Sequence, residues 1–262
     1  MDPQVNADAG RSRSGAQSVA RALEVLRCFE AATDLGVTEI AGRTGLSVST
    51  AHRLTRALCA GGLLVQDPRT ERYQLGPTLV VLGRRAEEHL GYARALPALE
   101  KLAADTGESV NLGIRADAEV LVVLDVASPQ PLRFEQTPGS RVAIHASAMG
   151  KCLLAFSPDP VGEVRALDRA GALIGFTPGT LADPAALEAD LARIRERGWS
   201  LNDEERNVGV RALAAPVLDG AGYAVAAVAV QGPTVRLAEG RLEGLARRVQ
   251  ATTRELAPFL VL

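Results

Sequence analysis

The segment GLSVSTAHRL, residues 45–54, brings hydrogen-bonding side chains together near the expected start of a helix. Ser49 and Thr50 carry small hydroxyl groups, and Arg53 carries a long side chain that ends in a guanidinium. Hydroxyls bond phosphate oxygens or base edges, and a guanidinium bonds guanine acceptors or a phosphate. These residue types at this spacing fit a helix end that approaches a nucleic acid. The alternative is ordinary helix capping with solvated arginines.

Helices predicted from the apolar spacing would position these side chains. Apolar residues recur at helical intervals from Val19 to Phe29, with Ser18 as the expected N-cap, which predicts an amphipathic first helix. A short second helix, capped by Thr38, ends at Gly45, where a left-handed backbone costs glycine no strain. The tight glycine turn that follows is typical of a helix-turn-helix.

A third helix and a β-hairpin complete the predicted arrangement. Ser47 is the expected N-cap of this helix. Its inward face is predicted to consist of Ala51, Leu54, Thr55 and Leu58. Two short apolar runs, Leu63–Val65 and Tyr73–Leu75, enclose a turn that begins at Asp67 and predict a hairpin. Three helices and a hairpin define a winged helix-turn-helix, mainly α with a β-hairpin wing.

Eight polar side chains of this region are the candidate DNA contacts. They are Ser47, Ser49, Thr50, His52, Arg53, Arg56, Arg69 and Arg72. Arg69 and Arg72, at or near the hairpin tip, would reach phosphates or the neighbouring minor groove. The pattern leaves open a small helical bundle whose hydroxyls are caps and whose arginines are solvated.

Composition limits the class of protein. The chain has 262 residues, 47% of them hydrophobic and 23% charged, which is typical of a globular protein with one large domain or two ordinary ones. The net charge of −2 means that any DNA contact must rely on a few placed arginines. No apolar run is long enough for a membrane helix, and the polar N-terminus lacks the features of a secretory signal. We therefore expect a cytoplasmic protein without a membrane partner.

The cysteines and histidines do not form a pattern typical of a metal site or a catalytic site. Cys28, Cys59 and Cys152 are far apart, which predicts reduced thiols. The three histidines lack metal-ligand spacing, so we expect no metal. HASAMGKC fails the phosphate-loop pattern, because His145 replaces the first glycine and Cys152 the final hydroxyl residue. A nucleophile pair of Cys152 and His145 is the alternative to a buried inert thiol, which we prefer. We expect no catalytic residues and no cofactor.

The residues after the hairpin predict a connecting helix and then a second domain. Pro77 is favoured in a first helical turn, and an apolar stripe follows it. The predicted strands are Ser109–Arg115, Glu119–Ala127, Pro131–Glu135, Val210–Leu218 and Tyr223–Val230. The predicted helices cover residues 93–104, 184–197 and 238–256. A sheet with flanking helices gives an α/β or α+β domain with its own core.

An anion site is one interpretation of the segment that begins at Ser147. Ser147 is a good N-cap, so the backbone N–H groups of Ala148, Met149 and Gly150 would point outward at a helix N-terminus. Small carboxylates are natural ligands for such groups. The sequence leaves open the alternative that these groups are merely capped or hydrated.

Five blocks of the sequence, taken together, resemble the IclR family of bacterial transcription regulators. They are VTEIAGRTGLSVSTAHRLTRALCAGGLL, RYQLGPTLVVLG, GSRVAIHASAMGKCLLA, IRERGWSLNDEERNVGVRALAAPVLD and AVAAVAVQGP. The resemblance covers the chain from about Ser18 to its end. It implies specific binding to a double-stranded DNA operator and a homodimer or homotetramer. It also implies a C-terminal α/β, GAF-like effector domain with an antiparallel sheet flanked by helices.

The resemblance further implies an effector pocket at the start of the helix after Ser147. The block alignment transfers the pocket to Ala148, Met149, Asn202, Ala212, Ala229 and Gln231. Family members that bind small oxo-acids such as glyoxylate have mostly polar residues at these positions. Here Asn202 replaces a carboxylate, and Ala212 and Ala229 replace polar groups. We therefore expect a roomier, less polar pocket for a larger or more apolar acid, such as an aromatic one.

These expectations combine into one organisation and one function. We expect a disordered tail over residues 1–14, a winged helix-turn-helix over 15–76, a linker helix over 77–91, and an effector-binding and oligomerisation domain over 92–262. The expected function is transcription regulation, controlled by a small-molecule effector that is a carboxylic acid, and the sequence leaves open whether the protein represses or activates. The alternative is an enzyme or cofactor-binding domain with an appended DNA-binding domain.

Overall fold

The computed structural model describes the backbone of residues 3–260 and the side chains of residues 15–260. The chain divides into two compact units, residues 1–87 and residues 88–262. The described part of α1 begins inside the segment 1–14, for which the sequence predicts a disordered tail. The side chains of that segment lie outside the described residues. Disorder there, and the three boundaries between the four predicted segments, stay predictions.

Among the described residues, the N-terminal unit contains four α-helices and one two-stranded sheet. The fourth helix continues three residues beyond residue 87, where this unit ends. The elements are α1 (Pro3–Arg27), α2 (Val37–Thr44), α3 (Val48–Ala60), β1 (Leu64–Gln66), β2 (Tyr73–Leu75) and α4 (Pro77–Leu90). A turn of 3₁₀ helix, Cys28–Ala31, follows α1. The core of the unit includes Val25, Ile40, Leu58 and Tyr73, so the helices and the hairpin share one apolar interior.

The local geometry of this unit is that of the winged helix-turn-helix that the sequence predicts. Gly45 ends α2 with a φ of 66°, which lies in the left-handed region. Ser47 caps α3, since its side chain accepts a hydrogen bond from the N–H of Thr50 at 3.2 Å. The buried residues of α3 are the four predicted ones, Ala51, Leu54, Thr55 and Leu58. β1 and β2 pair antiparallel, with Gln66 opposite Tyr73.

Two predicted helix caps are wrong. Ser18 lies inside α1, and Thr38 lies in the first turn of α2. The N-cap of α2 is Gly36, whose N–H donates to Oε2 of Glu39 at 2.7 Å. Because the carboxylate of Glu39 reaches back to the first residue, α2 begins without a hydroxyl cap.

The second unit is a six-stranded antiparallel sheet between two layers of helices. Its helices are α5 (Tyr92–Thr106), α6 (Ala148–Ala155), α7 (Pro160–Arg169), α8 (Pro184–Arg197) and α9 (Glu239–Leu256). Its strands are β3 (Ser109–Ala116), β4 (Glu119–Val126), β5 (Arg141–Ala143), β6 (Ser200–Asp203), β7 (Val210–Leu218) and β8 (Ala224–Pro233). The strand order is β5-β4-β3-β8-β7-β6, so β8, near the end of the chain, lies at the centre of the sheet.

The two faces of this sheet carry side chains of different size. The face that packs on α5 and α9 includes Leu213, Val217, Val228 and Val230. The face that packs on α6 and α8 includes Ala214, Ala227 and Ala229. The small side chains let α6 approach the sheet closely. Gly150 of α6 is equally constrained, because a Cβ at this position would lie 2.0 Å from the main-chain oxygen of Ile144.

One strand predicted from the sequence is absent from the structure, and two strands of the sheet are not predicted from the sequence. Pro131–Glu135 has no strand pairing, whereas β5 and β6 form the two edges of the sheet. In the absent strand, Arg133 instead bonds locally to Glu135. β5 has three residues and β6 has four, which is too short for a clear alternation of apolar and polar positions.

The three cysteines are free and differ in environment. Cys152 is buried, and its Sγ lies 3.3 Å from the main-chain oxygen of Ala214. Burial raises the pKa of this thiol to about 12, which makes it the inert thiol that the sequence predicts. Cys28 and Cys59, both in the N-terminal unit, are partly exposed.

The described residues contain neither a candidate membrane-spanning helix nor a candidate metal-binding cluster. No helix among them is both long enough and apolar enough to cross a membrane. No group of three or more His, Cys, Asp and Glu side chains in the same part of the chain is placed to hold a metal ion.

Candidate DNA interface and effector pocket

The outward face of α3 carries the predicted DNA contacts. Ser49, His52, Arg53 and Arg56 are exposed, and Thr50 is half-buried. Within the described residues, the guanidinium groups of Arg53 and Arg56 have no hydrogen-bond or ion-pair partner. Two long cations without a partner, on a helix face that the core does not need, are available to phosphates and base edges.

The hydroxyl groups at the start of α3 form a small cluster. Ser47 Oγ lies 3.1 Å from Ser49 Oγ and 2.8 Å from Thr50 Oγ1. A hydroxyl donates once and accepts twice, so this cluster keeps acceptor capacity toward the outside. Ser47 is primarily the helix cap, and Ser49 is the most outward of the three.

The two wing arginines differ in their surroundings. Arg69 is exposed at the hairpin tip, where only its backbone N–H is engaged, by Asp67 Oδ1 at 2.8 Å. The guanidinium of Arg72 donates to the side chain of Asp34 through Nε and lies 2.8 Å from Oε2 of Glu39 through Nη2. The DNA contact expected for Arg72 stays a prediction. Its geometry favours a bracing role, and Arg69 is the wing arginine that is free to meet DNA.

A pocket opens between the start of α6 and the strands β6, β7 and β8. All six positions that the resemblance implies lie on its wall: Ala148, Met149, Asn202, Ala212, Ala229 and Gln231. Three of them form a row across the sheet, because Asn202 pairs with Ala212 and Ala212 pairs with Gln231. Side chains that the sequence analysis does not name complete the wall: Phe134, Gln136, Ser147, Arg206, Asn207 and Val210.

One end of the pocket favours an anion. The side chain of Ser147 accepts from the N–H of Gly150 at 3.1 Å, which leaves the N–H groups of Ala148 and Met149 without an acceptor among the described residues. Arg206 lines the same cavity, and its guanidinium stacks over Phe176, with 5.1 Å from Cζ to the ring centre. Arg206 follows three acidic residues in the segment NDEERN of the fourth quoted block, and this position is the signal that could have identified it from the sequence.

The side-chain amide of Asn202 bonds to two backbone groups of the protein. Its Nδ2 donates to the main-chain oxygen of Ala146 at 2.6 Å, and its Oδ1 accepts from the N–H of Glu205 at 3.1 Å. These bonds join β6 to the segment ahead of α6. Asn202 therefore has a positioning role, and its expected hydrogen bond to the ligand stays a prediction, since Ala146 accepts only one of its two amide hydrogens.

The free space among these side chains is about 30 Å³. This volume holds about two water molecules. The larger size expected for this pocket relative to those of other family members stays a prediction. An aromatic acid would require the segment that carries Phe134 and Gln136, between β4 and β5, to move outward.

A buried ionic cluster lies behind the pocket. Lys151 of α6 is 1% exposed, and its Nζ lies 2.9 Å from Asp190 Oδ2 and 2.5 Å from Glu205 Oε1. Burial raises the pKa of Glu205 even though Lys151 opposes this effect. Burial acts the same way on Asp190, but the charges and bonds of Lys151 and Arg193 outweigh it and lower the pKa. The cluster joins α6, α8 and the segment before Arg206.

The described structure places His145 beside the pocket rather than beside Cys152. Its Nε2 lies 2.9 Å from the main-chain oxygen of Ile174, and its ring stacks on Phe176 with 6.0 Å between the ring centres. Burial lowers the pKa of His145, as does the charge of Arg206. The Sγ of Cys152 instead bonds to Ser200 at 3.2 Å, so the nucleophile pair is not supported by this geometry.

Comparisons with known families agree with this architecture. Residues 18–68 match the IclR helix-turn-helix domain, and residues 90–257 match the bacterial transcriptional regulator IclR C-terminal family. The fold and these matches together define the chain as a transcriptional regulator with an N-terminal DNA-binding unit and a C-terminal effector domain. The chain belongs to the IclR family.

Individual relatives cover nearly the whole chain. The HTH-type transcriptional regulator BhcR of Paracoccus denitrificans is 40% identical over 244 residues, which are 93% of this chain and 87% of that protein. The glycerol operon regulatory protein of Streptomyces griseus is 40% identical over 223 residues, 84% of this chain and 86% of that protein. The crystal structure of an IclR regulator from Alicyclobacillus acidocaldarius has a TM-score of 0.84 at 27% identity and covers 93% of this chain and 98% of that one.

Proposed function

We propose that this protein is a transcription repressor whose binding to operator DNA is controlled by a small carboxylic acid in the pocket at the start of α6. The observation that carries the proposal is the anion end of the pocket. The backbone N–H groups of Ala148 and Met149, which have no acceptor among the described residues, belong to a cavity that Arg206 also lines. A carboxylate would bond both backbone groups and gain from the adjacent positive charge.

DNA contact is assigned to side chains at the N-cap of α3, on its outward face and on the wing. They are Ser47, Ser49, Thr50, His52, Arg53, Arg56 and Arg69. Arg72 supports them by bracing the wing. The N-terminal end of α3 would enter the major groove, as recognition helices do. In a homodimer or homotetramer, two such helices would meet half-sites about one helical turn apart or a multiple of it. A protein that binds operator DNA would work in the bacterial cytoplasm, so the proposal includes this location.

The acid would act by binding one arrangement of the oligomer more tightly than another, since a ligand shifts an equilibrium only through differential affinity. The effector unit has a binding role in this proposal and no catalytic one. The buried, high-pKa thiol of Cys152 supports this, because such a thiol is a poor nucleophile.

The test has two arms on the full-length protein. In the first, selection from random duplex DNA is expected to return one motif with two half-sites. In the second, thermal unfolding is followed with a panel of aliphatic and aromatic carboxylates and their methyl esters. Free acids are expected to raise the Tm and the esters are not, because a ligand at one hundred times its Kd adds about 2.7 kcal/mol of stability.

Arg206→Leu is the matched variant for the anion end, and Arg165→Leu, on the exposed face of α7, is its control. Loss of the acid response in the first variant and its retention in the second support the proposal. Equal stabilisation by acids and esters would contradict a carboxylate site. Turnover of any panel member by the protein would favour the enzyme alternative.

A further inference from the structure

A chain of polar side chains behind the pocket determines which atom of Gln231 faces a ligand. It crosses three neighbouring strands, from Asp125 on β4 through Asn111 on β3 to Gln231 on β8. Asp125 and Asn111 are register partners. Asn111 is 0% exposed and Gln231 is 4% exposed, so their polar atoms must be satisfied largely inside the protein.

The amide of Asn111 has one compatible orientation. Its Nδ2 donates to Oδ1 of Asp125 at 2.7 Å and to the main-chain oxygen of Gln136 at 3.2 Å. A peptide oxygen never donates, and an ionised carboxylate only accepts. Both hydrogens of the Asn111 amide are therefore committed to these two acceptors. Its Oδ1 faces the other way, toward Gln231.

The amide of Gln231 is oriented in turn. Its Nε2 donates to Oδ1 of Asn111 and, at 3.3 Å, to Oε1 of Gln136. Both amide hydrogens are thus used within the protein. Gln231 Oε1 accepts from no described residue, and the side chain lies on the pocket wall. The pocket wall therefore carries an acceptor that has no donor among the described residues, on a side chain that is 4% exposed.

We infer that Gln231 Oε1 selects for effectors that carry a hydroxyl group, so that the ligand class is a hydroxy acid rather than an oxo acid or an unsubstituted acid. This inference rests on the proposed function, in which the carboxylate of the ligand occupies the start of α6. The hydroxyl would donate to Gln231 Oε1. An oxo group at the same place would oppose two acceptors with no hydrogen between them, which costs about tenfold in affinity.

The side-chain amide of Gln231 cannot turn over without loss of hydrogen bonds. Turning the Gln231 amide would direct its Oε1 at Asn111 Oδ1, and turning Asn111 as well would direct its Oδ1 at the main-chain oxygen of Gln136. Each reversal places two acceptors in contact inside the protein. The preference of Gln231 is therefore a property of Asp125, Asn111 and the peptide oxygen of Gln136 together.

The experiment uses sets of three acids that differ at one carbon, with the full-length protein and calorimetric titration. The sets are butyrate, 3-hydroxybutyrate and 3-oxobutyrate; pentanoate, 4-hydroxypentanoate and 4-oxopentanoate; and benzoate, 3-hydroxybenzoate and 3-methoxybenzoate. In the set that binds most tightly, the hydroxyl member is expected to bind about tenfold more tightly than the other two. An oxo, methoxy or unsubstituted member that binds as tightly as the hydroxyl member overturns the inference.

Two variants test whether the hydroxyl preference depends on Gln231. Gln231→Leu keeps most of the volume, removes the acceptor, and is expected to reduce the hydroxyl preference to about twofold or less. Gln130→Leu is the control, because the side chain of Gln130 is exposed and lies outside the pocket wall, and it is expected to keep the preference. A preference that survives Gln231→Leu contradicts the inference. The comparison of acids on the unmodified protein still decides if a variant does not fold.

The failure of this inference can be distinguished from failure of the proposed function. Acids that bind without discrimination between hydroxyl and oxo members overturn the selection by Gln231 and leave the carboxylate site intact. If no acid of any set binds, the carboxylate site fails, and the inference fails with it.

Discussion

Nη2 of Arg72 lies 2.8 Å from Oε2 of Glu39, so the wing is tied to the first turn of α2. Leu35 and Tyr73 exchange two backbone hydrogen bonds, of 3.0 Å and 2.8 Å, beside this contact. Arg72→Ala is expected to lower the Tm of the protein and to speed hydrogen exchange at the amides of Leu35 and Tyr73, because the wing loses its brace. Hydrogen exchange with mass spectrometry or NMR measures this directly.

The control for the wing is Arg69→Ala. It is expected to leave exchange at Leu35 and Tyr73 unchanged and to reduce the slope of log affinity against log salt by about one, as the loss of one phosphate contact does. If Arg69→Ala loosens the wing and Arg72→Ala does not, the assignment of the two arginines is reversed.

Arg53 is predicted to read a base. Arg53→Ala is expected to weaken specific operator binding by ~1–3 kcal/mol and to relax sequence preference at one position of each half-site. Because its guanidinium has no partner among the described residues, the Tm should stay unchanged. Fluorescence anisotropy with operator and scrambled duplexes provides the measurement. Arg165→Ala, outside the DNA-binding unit, is the control, and equal losses on both duplexes would assign Arg53 to phosphate instead.

Lys151 is predicted to be needed for stability of the effector unit. Lys151→Met leaves two buried carboxylates, Asp190 and Glu205, without their shared cation, which costs about 3–5 kcal/mol. Urea unfolding measures the loss. Lys101→Met is the matched control, because the side chain of Lys101 is exposed on α5. A combined Lys151→Met and Glu205→Leu variant should recover part of the loss, and no recovery would contradict the ionic account.

His145 is predicted to make stability depend on pH. Burial lowers the pKa of His145 in the folded protein below the usual value of 6.5. The unfolded chain then binds the proton more readily, so stability falls as pH falls from about 6.5 toward the lowered pKa and is fully present above that window. His145→Gln should reduce the drop in Tm between pH 7.5 and pH 5.5. His89→Gln, on the exposed part of α4, should not change it.

The predictability of the N-terminal unit from sequence has a local cause. The glycine turn at Gly45, the cap at Ser47 and the apolar face of α3 each depend on residues a few positions apart. Pattern analysis therefore finds them. The cap of α2 is different, because it is formed by Glu39 reaching back to Gly36, and the competing hydroxyl of Thr38 gives the more familiar signal.

The effector unit was less predictable because its polar contacts connect distant residues. The pocket positions follow from the quoted blocks, but neither spacing nor composition indicates that Asn202 bonds to Ala146 or that Lys151 pairs with Asp190 and Glu205. The network from Asp125 to Gln231 spans 106 positions of the chain and exists only once β3, β4 and β8 are adjacent. The chemistry of the site is therefore a property of the strand order.

The positions of the three cysteines would allow one unit of the protein to be labelled selectively without any substitution. Cys28 and Cys59 are partly exposed in the DNA-binding unit, whereas Cys152 is buried in the effector unit. Burial raises the pKa values of Cys28 and Cys59 as well, so a maleimide dye should react slowly and faster in alkaline buffer. A fluorophore attached in this way would report on operator and on the DNA-binding unit while the effector pocket stays chemically untouched.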